Sequence, residues 1–363
     1  MSLPEFKLLR PRTLAEAIEF LARHAPDVQV IAGGTDLIPS MRQKLFAPRY
    51  VVDIRGIPEL RGIRSSAGVS PATPVWAQAP SPVRAGGARP ERLGDSRQDA
   101  GATAEGVEIG ALTTLTEIEH SDFLRQHYPV LVEAAATVAS PILRNMGTLG
   151  GNICLDTRCL WYNQSLTWRK GCGFCIKKDG DICHVAPGGD TCWAAFSGDT
   201  PPALLCLDAE IEIAGPAGIR RIRLQDFYTG VGDNYRKLEK NELVTRVFLP
   251  AASAGWHGAY RKLRIRGSID YPLAGVAVAL RRNNGHVEDA RLALTAVNAS
   301  PVVVKGIRQA LAGHALDEAL AEQAGELAAR TAKPLTTSVL TPEYRREMIR
   351  VFTRRALLQA FKS

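Results

Sequence analysis

Six of the seven cysteines of this chain, Cys154, Cys159, Cys172, Cys175, Cys183 and Cys192, fall inside one short window between residues 154 and 192. The start of the sequence, MSLPEFKLLR, lacks the continuous apolar stretch of an export signal, so the chain is expected to be cytoplasmic. Thiols clustered in that setting favour metal or redox chemistry over a framework of structural disulfides. The seventh, Cys206, lies in an apolar run that reads as a strand, and is expected to be a buried structural thiol.

The rest of the chain has an ordinary globular composition. Hydrophobic residues make up 45% and charged residues 23% of 363 positions, which excludes a mainly disordered or collagen-like chain and leaves room for two or three domains. The longest apolar runs, 134–139 and 273–280, fall far short of the roughly 20 residues of a membrane span. A net charge of +8 suits solubility or acidic partners. The basic residues are scattered and no nucleic-acid motif is present, so no nucleic-acid partner is expected.

Along the chain, Thr13 and Glu16 fit a capping box ahead of the helical spacing Leu14, Ile18, Leu21 and Ala22. A strand, Val28–Ile31, runs directly into Gly33-Gly34-Thr35-Asp36, and Tyr50–Ile54 reads as another strand. Residues 66–106 are rich in Pro, Ala, Gly, Ser and Arg without apolar periodicity, and read as an exposed insertion that tolerates deletion. Order resumes with the strand Val107–Leu112, a second capping box at Thr114 and Glu117, and a helical pattern over Pro129–Ala139. Leu204–Ala214 and Ile219–Leu224 flank Gly215-Pro216-Ala217-Gly218 as a hairpin. Beyond about 228 a second domain is predicted: an apolar run Leu273–Leu280, the turn Asn283-Asn284-Gly285, the strand Ala290–Ala296, then helices. The last helix presents Ile349, Phe352, Ala356 and Ala360 on one face and carries Arg346, Arg350 and Arg354 elsewhere, as a solvated or interface face.

There is no GxGxxG and no GxxxxGK, so a Rossmann or P-loop reading has no motif. The chain has instead two separate glycine turns with polar followers, Gly33-Gly34-Thr35-Asp36 and Gly150-Gly151-Asn152. Paired glycines let backbone approach a ligand closely, and their N–H groups can converge on an anion. On the other side stands the plain fact that Gly-Gly is a common turn.

The segments Val30–Ile38 (VIAGGTDLI), Ile109–Ile118 (IGALTTLTEI) and Ser140–Asn152 (SPILRNMGTLGGN) resemble the FAD-binding subunit of molybdenum hydroxylases, the xanthine dehydrogenase and carbon monoxide dehydrogenase medium-subunit family. The resemblance continues in Tyr260-Arg261-Lys262 and Tyr344-Arg345-Arg346, so it covers nearly the whole chain except 66–106. It implies an α+β fold: a two-subdomain FAD-binding domain of the PCMH type over residues 1–228, then a C-terminal α+β domain over 229–363. It also implies that FAD pyrophosphate lies between two loops, one formed by Ile31, Ala32, Gly33, Gly34, Thr35, Asp36 and Leu37, the other by Thr148, Gly151 and Asn152. Val138 is carried over as a further cofactor position. Asp199 matches an acidic residue that contacts the flavin's polyol chain, and Val244 and Lys262 match positions beside the isoalloxazine. Read without the resemblance, Asp199 is a turn-former before Pro201-Pro202 and Lys262 a surface lysine on a strand.

Most members of that family run straight from the second glycine turn to the Asp199-type residue; here residues 153–196 are inserted. Thiolates bind soft or borderline metals, so four of the six cysteines can close a zinc site or an iron–sulfur cluster, and composition alone does not choose. The insert resembles the FAD subunit of the 4-hydroxybenzoyl-CoA reductase branch, through Asp156–Ser165 (DTRCLWYNQS), Cys183-His184 and Cys192. That resemblance implies a 4Fe-4S cluster held by Cys159, Cys175, Cys183 and Cys192, with Cys154 and Cys172 as spares; Cys172 departs from the branch's pattern. Trp161, Tyr162, Trp168 and Trp193 then shield the cluster or form the loop's own core, and His184 is a surface neighbour. The expected role is electron transfer from a low-potential donor such as ferredoxin, through FAD, to a small subunit with two 2Fe-2S clusters and a molybdopterin-containing large subunit. The net reaction implied is reductive removal of a phenolic hydroxyl from an aryl-CoA thioester. Two alternatives stay open: an oxidative hydroxylase subunit delivering electrons to NAD or another acceptor, and a zinc-stapled interaction subunit without flavin.

Overall fold

A computed structural model describes residues 2–65 and 106–363. The expected insertion at 66–106 lies outside the described residues but for its last position. Three sheets succeed one another along the chain, with helices between and over them.

The first sheet is parallel, in the order β1 (Lys7–Leu9), β3 (Tyr50–Asp53), β2 (Val28–Ile31). Its crossover helix, Leu14–His24, starts where predicted. The Thr13 hydroxyl accepts from the Glu16 N–H at 3.2 Å, while the Glu16 carboxylate turns back to the N–H of Arg12. Ala17 and Leu21 of that helix pack on Val28, Val52 and Ile54, the apolar stripe facing the sheet.

The second sheet has five strands in the order β4 (Ile63–Ser65), β5 (Val107–Gly110), β8 (Leu243–Leu249), β6 (Glu210–Gly215), β7 (Gly218–Arg223), all antiparallel. The Thr114–Glu117 capping box is formed in both directions and opens the helix Leu115–Glu119. The hairpin expected at Gly215–Gly218 is present between β6 and β7. The start of its first arm is not a strand, however: Thr200–Cys206 is a helix. Pro201 and Pro202 occupy its first turn, where a missing N–H costs nothing and a fixed φ is preset. Every residue of that helix is buried, and an apolar run buried all round does not betray its period. Cys206 is therefore a helical thiol, 1% exposed, which burial pushes up to about 12.

The domain boundary also moves. Because β8 pairs with β5 and β6, the chain stays in the second sheet to Leu249, and the third sheet begins at His257, later than the expected 228. That third sheet is β12 (Val302–Val303), β11 (His286–Thr295), β10 (Ala274–Asn283), β9 (His257–Leu263). Its hairpin turns through Asn284 and Gly285 at φ 48° and 75°, the left-handed pair that matches strand twist. Alternation along β10 sends Val276, Val278 and Leu280 towards Ile349, Ala356 and Leu357 of the C-terminal helix Pro342–Lys362. Ala277 and Ala279 face the other way, into the core with Leu204, Leu131 and Ala135. The helices Pro129–Ala136 and Thr200–Cys206 are thus wedged between the second and third sheets. Arg350 and Arg354 of the last helix pair with Glu322 of the helix Glu318–Thr331, so the arginine face is an interface between helices. Arg345, unremarkable by spacing, is buried and donates to the carbonyls of Leu273, Leu335 and Ala296; desolvation pulls its guanidinium down to about 10. None of the described helices is long and apolar enough to cross a membrane.

Candidate cofactor cleft and cysteine compartment

A cleft of about 720 Å³ opens where the two glycine turns meet. Ile31, Ala32, Gly33, Gly34, Thr35, Asp36 and Leu37 line it from one side. Thr148, Gly151, Asn152, Val138, Asp199 and Val244 line it from the others. Of the positions named from sequence on the flavin side, Lys262 alone is not in the wall.

The two turns do different work. A Cβ on Gly33 would lie 1.9 Å from the carbonyl oxygen of Met146, so this glycine lets the two backbones touch. Gly34 sits at φ +73°, which a side chain rarely adopts. Among the described residues the N–H groups of Gly33, Gly34 and Thr35 have no hydrogen-bond partner, and these are the donors a diphosphate can take. The second turn differs from the expectation that its N–H groups also converge on an anion. The Leu149 and Gly150 N–H groups donate to the carbonyls of Thr113 and Ala111, and the Gly151 N–H to the Thr148 hydroxyl that caps the helix Leu149–Ile153. This turn offers close approach instead. A Cβ added at Gly151 meets only the Thr148 Oγ1, at 3.0 Å, while Asn152 is fixed by accepting from Thr200 N–H and hydroxyl at 3.0 and 2.8 Å.

That contrast gives a clean test. Gly33→Val drives a side chain into backbone and is expected to disrupt the fold. Gly151→Val is expected to leave the protein folded but to weaken FAD binding at least about tenfold, or 1.4 kcal/mol, read by flavin retention on gel filtration. Full flavin in a folded Gly151→Val protein would remove the second turn from the site.

Asp199 precedes the helix Thr200–Cys206, yet its side chain makes no cap hydrogen bond. Its Oδ1 accepts from the Tyr260 hydroxyl at 2.8 Å and its Oδ2 from Lys262 Nζ at 2.9 Å, with Lys262 also donating to the Thr137 carbonyl at 3.0 Å. The paired side chains are 4% and 2% exposed. Lys262 is therefore not a surface lysine; it stands behind the carboxylate and holds it towards the cleft. Burial pushes the Asp199 carboxyl above its ordinary value, with Lys262 and Tyr260 pulling the other way. A carboxylate oxygen keeps further lone pairs free after one bond, so Asp199 can still accept from a ligand hydroxyl.

Sequence reasoning missed much of the remaining wall. Asp233 to Arg236, a loop with no motif, lines the cleft together with Tyr271 of the third-sheet domain. So do Cys154, Leu155, Asp156 and Arg158 from the cysteine insert. Arg158 Nη1 pairs with Asp36 Oδ1 at 2.9 Å, the Tyr271 hydroxyl donates to the same oxygen at 2.9 Å, and the guanidinium lies 4.1 Å over the Tyr271 ring. Burial raises the Asp36 carboxyl while Arg158 and Tyr271 lower it. First turn, insert and C-terminal domain meet at that one carboxylate. The insert is thus part of the cleft wall.

The insert folds around its own small core. Cys159, Cys175 and Cys192 pack with Tyr162, Ala194 and Leu45, and Cys183 is buried as well. Cys159, Cys175, Cys183 and Cys192 are 4–9% exposed, while Cys154 and Cys172 are half-buried. All are free thiols. Among the described residues no three His, Cys, Asp or Glu side chains are arranged to hold a metal ion. A single zinc ion, with bonds of about 2.3 Å to sulfur, would need its thiolates nearly touching. Desolvation pushes Cys159 up to about 11 and Cys192 up to about 12, so this core stabilises thiolates only with compensating positive charge. Of the four aromatics, Tyr162 alone is buried. Trp161 bridges Trp168 and His184 by ring contacts, and Trp168 and Trp193 are exposed on the loop's outside. His184 also bonds the Phe174 carbonyl.

Comparison with known proteins agrees with this architecture. Residues 4–70 and 96–252 match the FAD binding domain in molybdopterin dehydrogenase, and 258–360 match the CO dehydrogenase flavoprotein C-terminal domain. The carbon monoxide dehydrogenase medium chain of Afipia carboxidovorans is 29% identical, over 98% of this chain and 96% of the relative. The xanthine dehydrogenase FAD-binding subunit of Escherichia coli is 25% identical, over 97% and 94%. The crystal structure of quinoline 2-oxidoreductase from Pseudomonas putida superposes with a TM-score of 0.71 at 25% identity, covering 100% of this chain and 99% of the other. With both family models spanning the chain in order, and free amides where a diphosphate is expected, the chain belongs to the FAD-binding medium subunits of the molybdenum hydroxylase family.

Proposed function

We propose that this FAD subunit carries electrons from a low-potential one-electron donor such as a ferredoxin to a small subunit with two 2Fe-2S clusters and a molybdopterin-containing large subunit. The net reaction proposed for the complex is reductive dehydroxylation of an aryl-CoA such as 4-hydroxybenzoyl-CoA. Loss of the phenolic hydroxyl as water consumes two electrons and two protons. Flavin chemistry suits a junction of this kind, because it accommodates one- and two-electron exchange. The substrate's own chemistry falls to the molybdenum partner.

One observation carries the reading: Cys159, Cys175 and Cys192 pack in one compartment, Cys183 is buried in the same insert, and Cys154, Leu155, Asp156 and Arg158 of that insert line the flavin cleft. A set of four thiols is the ligand set of a 4Fe-4S cluster, and a cluster is a larger body than one ion, so its thiolates stand further apart. An added low-potential centre next to flavin serves a one-electron donor; delivery of hydride to NAD has no use for one. Within the chain, Arg158 and Asp156 sit on the shared wall, and Asp36 ties that wall to the first glycine turn.

A second reading has its own support. The relatives include carbon monoxide and xanthine dehydrogenase subunits, named for oxidative reactions, and an oxidative hydroxylase subunit would use the same cleft. The test is to purify the whole complex without oxygen, measure iron, sulfide and flavin, and follow flavin bleaching with reduced ferredoxin and with NADH. Rapid bleaching by ferredoxin, and none by NADH, supports the proposal. Reduction of the flavin by the complex's substrate, with transfer to NAD, supports the oxidative reading instead. Zinc without iron or flavin would sink both.

A further inference from the structure

We propose that the Lys177 ammonium is a positioning residue that raises the reduction potential of the cysteine-bound cluster, as a buried positive charge fixed between the thiol compartment and the flavin cleft. This rests on the reading of the four cysteines as cluster ligands.

The Lys177 side chain is 5% exposed and its Nζ makes four contacts. It donates to Asp156 Oδ1 at 2.8 Å, to the Thr157 carbonyl at 3.0 Å, to the Gly232 carbonyl at 3.1 Å, and to the Thr157 hydroxyl. On the compartment side it lies 4.5 Å over the ring of Tyr162, which packs with Cys159, Cys175 and Cys192. On the cleft side its partner Asp156 lines the cavity wall. The order is therefore thiol core, ammonium, carboxylate, cleft.

Its second anchor reaches the thiols from another direction. Gly232 donates its N–H to the Cys192 carbonyl at 2.8 Å, and a Cβ there would stand 2.9 Å from Cys192 Sγ. Lys177 thus ties the insert to the loop that carries Asp233 to Arg236 into the cleft.

A thiolate-ligated cluster is anionic and becomes more so on reduction. In a water-poor interior a fixed cation nearby stabilises the reduced form, and net charge and solvent exposure are established levers on such potentials. No exposed lysine would act so strongly, because solvent would screen it.

The test is a redox titration of the anaerobically purified complex, followed by the electron paramagnetic resonance of the reduced cluster, after iron and sulfide have been measured. In Lys177→Met the cluster is expected to be retained. The ratio of reduced to oxidised cluster at a fixed poise should fall about tenfold, a shift of about 59 mV for one electron. Lys177→Arg should restore most of it, and Asp156→Asn should shift the potential upwards. A fully loaded Lys177→Met cluster titrating with the wild type would overturn the proposal. If Lys177→Met fails to assemble a cluster, Asp156→Asn decides: an upward shift supports the charge argument, and no shift overturns it. Wild-type protein without iron fails at the first measurement, and sinks the cysteine reading on which this one stands.

Discussion

Lys262→Met is expected to lower the urea midpoint of the protein sharply, by the equivalent of about 3–5 kcal/mol. The substitution leaves the Asp199 carboxylate buried with Tyr260 as its remaining partner. Removing both charges should recover most of that loss, so Lys262→Met with Asp199→Asn is expected to be more stable than Lys262→Met alone. The pH dependence has a definite sign. Burial already raises the Asp199 carboxyl above its unfolded value, and losing Lys262 raises it further. Between the unfolded and folded values the native state then binds more protons, so stability rises as pH falls through that window. The Lys262→Met protein should therefore gain stability on acidification from neutrality, more than wild type does. A Lys262→Met protein with an unchanged midpoint and no such slope would show that Asp199 is solvated rather than buried.

Cys183→Ser is the second large effect. Serine is a harder and less available ligand than thiolate, so the variant is expected to lose its iron and sulfide. The flavin is expected to suffer too. Cys154, Leu155, Asp156 and Arg158 of the insert line the cleft, and Arg158 pairs with Asp36 of the first turn. A loosened insert should weaken FAD binding about tenfold, a coupling of the size one charged hydrogen bond supplies. Cys154→Ser should keep the cluster. Flavin affinity unchanged in an iron-free Cys183→Ser protein would show that the insert wall contributes nothing to the cofactor.

The parts legible in the sequence were those set by local rules. Thr13, Thr114 and the Asn284-Gly285 turn each impose a backbone geometry on their neighbours, and the elements they begin or join were readable from them. The first glycine turn was legible for the same reason: Gly34 takes a left-handed φ and Gly33 admits a backbone contact. What could not be read was set by partners distant in the chain. Whether Thr200–Cys206 is helix or strand depends on its burial from all sides between two sheets. Lys262 looks like any strand lysine until Asp199 and the Thr137 carbonyl are placed around it. Gly150 and Gly151 read as anion binders, yet the Ala111 carbonyl and the Thr148 hydroxyl take their N–H groups. The loop Asp233 to Arg236 carries no motif at all, and its place in the cleft is set by distant partners, among them the Cys154 carbonyl that accepts from Tyr235 and Arg236.

We propose that the insert holds a 4Fe-4S cluster against the flavin cleft through Cys159, Cys175, Cys183 and Cys192. Iron, inorganic sulfide and flavin in anaerobically purified wild type, Cys172→Ser and Cys183→Ser test it most directly. Wild type and Cys172→Ser are expected to hold about four irons and four sulfides per chain, because Cys172 is half-buried at the end of the helix Leu166–Gly171 and outside the thiol core. Cys183→Ser is expected to hold almost none. A full complement of iron and sulfide in Cys183→Ser, or wild-type protein with FAD and no iron, would contradict the account.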